Sequence, residues 1–364
     1  MGYVAVRDLK PGLKIANPVH TMLGGMLMPK GKVLLPRDLD ILQAFMIQEV
    51  DIEGGKQSAG LGSSSSKEAR NEAGSESAQQ EVKRSPLDQF QLEYDRMLSL
   101  LKSAFQSILA TNLPVFDLRN QLETLIGMLK NYNILTFVPK NMNEYDYMYH
   151  NGILSALTSY SLAQWHGLPQ KDWVQVALAG LLHDIGNVKV DPDILYNPSN
   201  LNTEELEEVR LHTTYGYQML RNIAALNEGV RLSALQHHEK NDGSGYPLRL
   251  TGDKIHIYAK IVAVADIFHA MTLKKRYRKP QSPYLVLEEI QSEAFGKLDP
   301  SIVKTFIAKV TELHNGTRVL LSNEEIGEIV FTDRNHPTRP MVSVKGQIIN
   351  LANNHQLYIV DIVK

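Results

Sequence analysis

A long central stretch of the sequence, residues 87–312, consists of segments whose apolar side chains recur at helical spacing. In residues 203–223, for example, Val209, Gly216 and Leu220 fall on one face of a single predicted helix. Residues 257–271 form an apolar run that we expect to lie in the core. Few strand-like alternations interrupt the stretch. The pattern predicts a mainly α protein whose largest domain, residues 87–312, is a helical bundle.

The segments on either side differ in composition. Residues 1–53 alternate short apolar runs with turn residues and include one helical pattern near residues 36–48, which predicts a small N-terminal α+β module. Residues 54–86 are nearly free of large apolar side chains and predict a flexible low-complexity linker, with an exposed ordered loop as the alternative. Residues 313–364 contain β-branched runs separated by turn residues and predict a short C-terminal β element.

The sequence contains no cysteine. This excludes disulfides, cysteine-ligated zinc, iron–sulfur clusters and cysteine nucleophiles, so that any metal site must consist of His, Asp and Glu. The formal net charge is −2 at pH 7. Such a balance disfavours a dedicated binder of nucleic acid polymers, which is usually basic.

The sequence predicts neither a signal peptide nor a membrane-spanning segment. Arg7 and Asp8 interrupt the start of the chain before an apolar region forms. No stretch approaches the roughly 20 apolar residues that a membrane helix requires. We therefore expect a soluble, cytoplasmic protein with no membrane partner.

Histidine and aspartate recur on successive predicted helices. From one such helix to the next, these residues are separated by about the length of one helix and its loop. Successive helices are therefore able to direct these side chains to one point. Asp266 is the most informative, because a carboxylate inside an apolar run costs free energy unless it is paired or bound to a metal. Taken alone, Asp266 has an alternative to metal binding, namely a buried salt bridge or a helix-capping role. Taken alone, each histidine has the alternative of an ordinary core or surface position. The residues of this set are His150, His183, Asp184, His212, His237, His238 and Asp266.

The chemistry of this set favours divalent metal ions. Imidazoles and carboxylates without sulfur suit first-row ions, foremost iron or manganese, with zinc and nickel as alternatives. Seven donors exceed the four that one tetrahedral ion requires, and a carboxylate that bridges two ions accounts for the surplus. Two ions about 3.5–4 Å apart are used for phosphate ester hydrolysis, in which a water bridging the metals is activated.

Four blocks of the sequence resemble the HD superfamily of metal-dependent phosphohydrolases, and specifically its HD-GYP family. They occur in the family's order, as LLHDIGN at 181–187, LHTTYG at 211–216, HHEKNDGSGYP at 237–247 and AVADIFHAMT at 263–272. The resemblance covers roughly residues 87–312. It implies an all-α catalytic domain that hydrolyses the second messenger cyclic di-GMP to pGpG, GMP or both.

The resemblance also implies roles for individual residues. The seven histidines and aspartates become metal ligands, with Asp184 as the bridging carboxylate and as a catalytic residue. Some family members hold a third ion with an acid four residues before the first histidine, and Asp146 occupies that place here. A solvated acid at the start of a helix is the alternative for Asp146. The family therefore implies two or three divalent ions.

Contacts to the substrate are implied at two places. The first is the Gly-Tyr-Pro loop, where Gly245 and Tyr246 are expected to face the nucleotide, since a tyrosine ring stacks on guanine and its hydroxyl reaches phosphate. A rigid turn with Tyr246 packed against the helix is the alternative. In the family, basic side chains nine and twelve residues beyond the last aspartate contact substrate phosphate. Lys275 and Arg278 hold those places.

The sequence departs from the family pattern at the catalytic position Asn187, where the family usually has a lysine near the metals. An asparagine donates a hydrogen bond but brings no charge, and the loss of one such contact reduces a rate about 10²-fold. Lys189 is an alternative source of positive charge. Two further departures, Thr213 and His269, affect no expected ligand.

Two alternatives to a cyclic di-GMP phosphodiesterase stay open. In the first alternative, the protein is a catalytically weak receptor that binds the nucleotide and signals. In the second, it is an enzyme that hydrolyses another cyclic dinucleotide. Candidate partners besides cyclic di-GMP are signalling proteins that contact the Gly-Tyr-Pro loop or the N-terminal module, and a second copy of the chain in a homodimer.

Overall fold

The computed structural model divides into two compact units, residues 1–80 and 81–364, and each is described here by itself. The predicted linker falls mostly on residues 54–84, outside the described part of the chain, while Ser85 and Pro86 begin the first helix of the second unit. The residues that the structure describes are 2–20, 26–35, 38–39, 42, 47–53, 85–110, 112–140, 142–197, 201–275, 280–312 and 315–363.

The N-terminal unit is a small arrangement of paired strands. Strand β1 (Gly2–Ala5) pairs antiparallel with β4 (Glu49–Ile52), and β2 (Val19–His20) pairs antiparallel with β3 (Met26–Met28). The predicted first strand is shorter than expected, because Val6–Asp8 turn into a 3-10 helix. Most of the predicted helix near residues 36–48 lies outside the described residues. The unit has a core of its own, formed by Val6, Leu9, Ile15, Val19, Met28, Leu34, Leu42, Val50 and Ile52.

The second unit is mainly helical, which confirms the predicted fold class. Its first helix illustrates how the sequence sets a helix start, since Pro86 occupies the first turn and the Ser85 hydroxyl accepts a hydrogen bond from the Asp88 backbone N–H at 3.1 Å. The helices are α1 (Pro86–Ser107), α2 (Val115–Gly127), α3 (Tyr147–Trp165), α4 (Gln170–Leu182), α5 (Pro192–Leu195), α6 (Thr203–Arg210), α7 (His212–Leu220), α8 (Glu228–Gln236), α9 (Ile257–Thr272), α10 (Pro283–Glu293) and α11 (Pro300–Val310).

Helix α3 forms the centre of the bundle. Nearly every side chain from Tyr149 to Ala163 is buried, as expected for a helix that is covered on all sides. It packs against α4 and α9, and the apolar run of α9 lies in the core as predicted. Among the described helices, none is both long and apolar enough to cross a membrane.

The predicted single helix over residues 203–223 is wrong. The chain forms α6 and α7 instead, with a break at Leu211. The Leu211 backbone N–H donates to the Glu208 carbonyl oxygen at 3.0 Å, a three-residue bond that tightens the last turn and ends the α-helical ladder. His212 therefore stands at the start of a new helix rather than in the middle of one.

The C-terminal residues form a five-stranded antiparallel sheet whose strand order is β8-β7-β6-β5-β9. Its inward side chains, among them Val319, Ile329 and Val342, belong to the same apolar core as the helices. Arg339 also ties the sheet to α10, because its Nε and one terminal nitrogen donate to the two carboxylate oxygens of Glu288 at 2.6 and 2.7 Å. The strands are β5 (Arg318–Leu321), β6 (Ile326–Phe331), β7 (Met341–Val344), β8 (Gln347–Asn350) and β9 (Ile359–Ile362).

Candidate metal centre

Four of the predicted ligands form a compact group. Asp184, His212, His237 and His238 each place one side-chain nitrogen or oxygen within 4.8 Å of the others. Asp184 follows the end of α4, His212 begins α7, and the two adjacent histidines follow the end of α8. The ends of three helices thus converge on one carboxylate, whose Oδ1 lies 3.3 Å from His212 Nε2 and 3.7 Å from His237 Nε2.

His183 and Asp266 extend this group on the side of Asp184. His183 Nε2 lies 3.4 Å from Asp184 Oδ2 and 3.4 Å from Asp266 Oδ1. Asp266 lies within α9 and is buried, and its Oδ1 accepts a hydrogen bond from the Asn151 side-chain amide at 2.6 Å. The buried carboxylate is therefore held in place by a neutral donor and directed toward the histidines.

The orientation of the histidine rings is set by the backbone. In each of three rings Nδ1 faces a carbonyl oxygen: His183 faces Gly180 at 2.7 Å, His212 faces Val209 at 2.6 Å and His237 faces Ser233 at 2.9 Å. Because a carbonyl only accepts, Nδ1 carries the hydrogen in each ring. The Nε2 atoms then point at Asp184, which is how ligating histidines are usually held.

The inward Nε2 atoms lie close to one another. His212 Nε2 and His237 Nε2 are 3.3 Å apart, close enough to share a proton in a hydrogen bond or to bind one cation. His183 Nε2 is buried without a hydrogen-bond partner among the described residues. The donor set of imidazoles and carboxylates fits first-row divalent ions, so the residues present fit the expected metal.

The charges of the site agree with this interpretation. Burial would raise the pKa of Asp184, but His183, His237 and His212 outweigh it and hold that pKa well below its usual range. Burial would lower the pKa of His183, yet Asp184 and Asp266 raise it well above the ordinary value. The pKa of Asp266 is likewise lowered, with His183 overcoming the effect of burial. Both carboxylates are therefore charged at neutral pH and attract cations.

His150 and Asp146 lie outside the compact group. His150 Nδ1 contacts the Tyr94 hydroxyl at 2.9 Å, and its Nε2 is buried without a hydrogen-bond partner in the described part of the chain. Burial lowers the pKa of His150 to about 4, so its ring is neutral and able to coordinate at pH 7. Asp146 instead accepts the Lys102 ammonium, with Nζ and Oδ1 2.8 Å apart.

Asn187 lies on the same side of its turn as Asp184. Residues 185–189 form a 3-10 helix, in which side chains three residues apart are eclipsed, and the Asn187 backbone N–H donates to the Asp184 carbonyl oxygen at 3.0 Å. The Asn187 residue is buried. Lys189, the alternative source of charge, is exposed and places its ammonium over the Tyr215 ring at 5.3 Å.

The Gly-Tyr-Pro loop folds back on the histidine pair. A Cβ at Gly245 would stand 2.5 Å from the His238 carbonyl oxygen, so this close approach requires glycine. The substrate contact of Gly245 stays a prediction. The Tyr246 ring stacks on the His238 ring with 4.7 Å between centroids. Tyr246 thus lies beside the predicted metal ligands, and its ring also packs against His238, as the alternative interpretation expected.

Of the two basic residues predicted to contact substrate phosphate, the structure describes Lys275 but not Arg278. The Lys275 ammonium lies over the Tyr147 ring, 4.5 Å from its centroid. Burial, and after it the charges of Asp266 and Asp184, raise the pKa of Tyr147, so its hydroxyl stays protonated at neutral pH. The contact of Lys275 with substrate phosphate stays a prediction. Arg278 falls outside the described residues, and its assignment stays a prediction.

Three supporting residues were missed in the sequence. Asn151 and Glu239 directly follow predicted ligands, and that adjacency was an available signal. Glu239 is buried, and its carboxylate accepts hydrogen bonds from the Leu248 and Leu250 backbone N–H groups at 2.6 and 2.9 Å, which fixes the Gly-Tyr-Pro loop. Tyr94 lies 56 residues before the histidine it contacts, and no local pattern reveals such a pair.

Comparison with known proteins finds related sequences over the helical region. A family model described as HD domain matches residues 104–302. The chain is 35% identical over 153 residues to a 3′3′-cGAMP-specific phosphodiesterase of Vibrio cholerae, covering 42% of this chain and 29% of that protein. It is 31% identical over 205 residues to a cyclic di-GMP phosphodiesterase of Pseudomonas aeruginosa, covering 56% of this chain and 49% of that protein.

A third relative is a cyclic di-GMP phosphodiesterase of Thermotoga maritima, which is 33% identical over 187 residues, covering 51% of this chain and 50% of that protein. The chain thus spans about half the length, or less, of these curated relatives.

Proposed function

The chain belongs to the HD domain family, as an HD-GYP protein, and from this premise we propose that it is a metal-dependent phosphodiesterase that hydrolyses cyclic di-GMP. The observation that carries the proposal is the orientation of three histidine Nε2 atoms toward Asp184, each fixed by a backbone carbonyl on the opposite ring nitrogen. Two of the three relatives described above are named for cyclic di-GMP.

We assign the metal-holding role to the histidines and aspartates around Asp184, with Asp184 shared between two ions. When bound, such ions supply the Lewis acidity that activates water for attack on phosphorus and neutralises phosphate charge. Asp266, oriented by Asn151, and the neutral ring of His150 complete the donor set. Asn187, eclipsed with Asp184, donates a hydrogen bond toward the scissile phosphate, and Lys275 approaches from the side of Tyr147.

Turnover of cyclic di-GMP by the full chain tests this function. We expect the protein, purified without oxygen and supplied with iron(II) or manganese(II), to convert cyclic di-GMP to pGpG, GMP or both, as separated by chromatography. The same preparation treated with a chelator is the control. Hydrolysis of 3′3′-cGAMP but not cyclic di-GMP would replace the proposed substrate, and no hydrolysis of either would contradict the enzymatic proposal.

The number of ions is proposed to be two. The acid that would help to hold a third ion, Asp146, is neutralised by Lys102, and Asp146 and His150 lie outside the compact group around Asp184. The Lys102 ammonium thus pairs with the acid that a third ion would need.

Replacement of Lys102 tests the proposed metal count. Lys102→Met keeps the length of the side chain but frees Asp146, so we expect the metal content to rise from two to three ions per chain. Lys140→Met, which removes an exposed ion pair with Asp88, is the matched control and should leave two. A wild-type protein with three ions, or a count of two in both variants, would contradict the role given to Lys102. Mass spectrometry measures the number of metal ions per chain in the wild-type protein and in both variants.

The receptor alternative rests on Asn187, because the residue brings no charge to the scissile phosphate. In that case the chain binds cyclic di-GMP but forms no product over hours. Calorimetric binding of the nucleotide together with the chromatographic assay separates the two functions, since an enzyme gives product and a receptor gives only binding.

A lysine at position 187 is expected to accelerate hydrolysis. Asn187→Lys restores a cation three residues beyond Asp184, on the same side of the 3-10 helix, and we expect kcat to rise about 10²-fold, the magnitude of one charge-stabilising contact. Asn187→Gln lengthens the side chain without charge and is the control. Steady-state kinetics in which the lysine variant is no faster than the glutamine variant would contradict a role for charge at this position.

A further inference from the structure

A cleft lies beside the Gly-Tyr-Pro loop, next to the candidate metal centre. It has a volume of about 360 Å³ and is lined by the end of α6, the start of α7, residues 243–247 and Arg249. Tyr246 connects the two sites, since its ring stacks on His238 and also lines the cleft. The base of a nucleotide is one sugar away from its phosphate, so a cleft next to a phosphate site is a candidate position for the base.

The cleft presents a matched donor and acceptor. The Arg210 guanidinium lies over the Tyr246 ring, 5.2 Å from its centroid, and its five N–H groups give it several donors for a ligand. Glu207 lies one turn earlier on α6 and forms an ion pair with Arg210. Both side chains line the cleft, so that a carboxylate acceptor and a forked donor face the same space.

This combination matches guanine and not adenine. The edge of guanine carries N1–H and N2–H donors beside the O6 and N7 acceptors, and arginine donates to O6 and N7 in the commonest specific contact with this base. A carboxylate accepts from the two donors. Adenine carries an acceptor at N1 and a donor at N6, so the same pair of residues would meet it with mismatched groups.

The loop that closes the cleft is held in an uncommon backbone conformation. Arg249 has a φ of 54°, which non-glycine residues rarely adopt. The backbone N–H groups of its two neighbours, Leu248 and Leu250, both donate to the buried carboxylate of Glu239. Glu239 thus enforces the conformation, and the exposed Arg249 side chain is presented at the edge of the cleft, where a phosphate or a ribose would pass.

We propose that this cleft binds the guanine base of the substrate, with Glu207 accepting from N1–H and N2–H and Arg210 donating to O6 and N7. The proposal rests on the proposed function for its phosphate position, and it names the residues that select guanine over adenine. Tyr246 supports Arg210 from one side, and Arg249 lies where the nucleotide enters.

Binding of mononucleotides to the metal-loaded full chain tests this site. GMP and AMP carry the same phosphate, so the ratio of their dissociation constants isolates the base. We expect GMP to bind at least about tenfold more tightly than AMP, as one bidentate contact provides, and Glu207→Gln to abolish this preference. Glu204→Gln, an exposed glutamate on the same helix, should retain it. Metal content and melting temperature show that each variant is folded and loaded.

The outcomes separate this inference from the proposed function. Equal binding of GMP and AMP, binding of neither, or a preference that survives in Glu207→Gln would overturn the guanine site. Turnover of cyclic di-GMP is measured on the same preparations. If GMP is preferred over AMP in a way that depends on Glu207 but cyclic di-GMP is not hydrolysed, the guanine site stands and the phosphodiesterase proposal is wrong. If cyclic di-GMP is hydrolysed but neither mononucleotide is preferred, the phosphodiesterase proposal stands and the guanine site is wrong.

Discussion

Substitution of Asp184 by asparagine is expected to abolish both metal binding and hydrolysis. The carboxylate oxygens of Asp184 lie within 3.7 Å of the Nε2 atoms of three histidines, so one negative charge faces all three rings. Asparagine keeps the size of the side chain but removes the charge and one ligand oxygen. Loss of the ions removes several kcal/mol of transition-state stabilisation, so turnover should fall at least about 10³-fold.

Metal analysis and chromatography of cyclic di-GMP on the same sample measure both effects. Asp193→Asn, an exposed aspartate on α5, is the control and should leave metal content and rate unchanged. If Asp184→Asn kept two ions and the wild-type rate, the carboxylate would not be the shared ligand and the account of the site would be wrong.

Substitution of Gly186 by alanine is expected to disrupt the site through the backbone. A Cβ at Gly186 would collide with the His212 carbonyl oxygen and stand 2.6 Å from the Gly216 backbone nitrogen. The missing side chain is what lets the turn that carries Asp184 approach the start of α7. Overpacking at a buried contact costs about 3 kcal/mol of unfolding free energy, and the forced separation should also reduce metal loading.

Gly127→Ala provides the matched control, because a Cβ there meets nothing within 4 Å and the residue ends α2. Alanine in a helix is favoured over glycine by up to about 1 kcal/mol, so this variant should be neutral or slightly more stable. Thermal unfolding compares the two. A Gly186→Ala protein as stable and as well loaded as Gly127→Ala would show that the close approach of the two segments is dispensable.

Much of the fold followed from local patterns. Helical periodicity over residues 87–312 predicted a mainly α protein, and the structure confirms it with helices such as α3 and α9 at the expected positions. The break at Leu211 was not predicted. The apolar periodicity of residues 203–223 continues across the break and gave no sign of it. At the break the Leu211 backbone N–H donates to the Glu208 carbonyl oxygen, and the helix that follows lies against Gly186 from a distant part of the sequence.

The candidate site, like the fold, was predicted from the sequence only in part. Motif spacing identified the predicted ligands around Asp184, because each lies at the start or just past the end of a helix in a characteristic sequence block. The ion pair between Lys102 and Asp146 was not foreseen, since the two residues lie on different elements and neither position is unusual for a surface charge. Glu207 and Arg210 were not singled out in the sequence, because the cleft that they line is completed by a loop distant in the sequence.

The metal content of the full chain tests the central claim most directly. The protein is purified without oxygen, loaded with iron(II) or manganese(II), freed of excess ion and analysed by mass spectrometry. The inward Nε2 atoms and the two charged carboxylates lead us to expect two divalent ions per chain. A chain that retains no ion under either loading condition would contradict the claim that these histidines and aspartates form a metal centre.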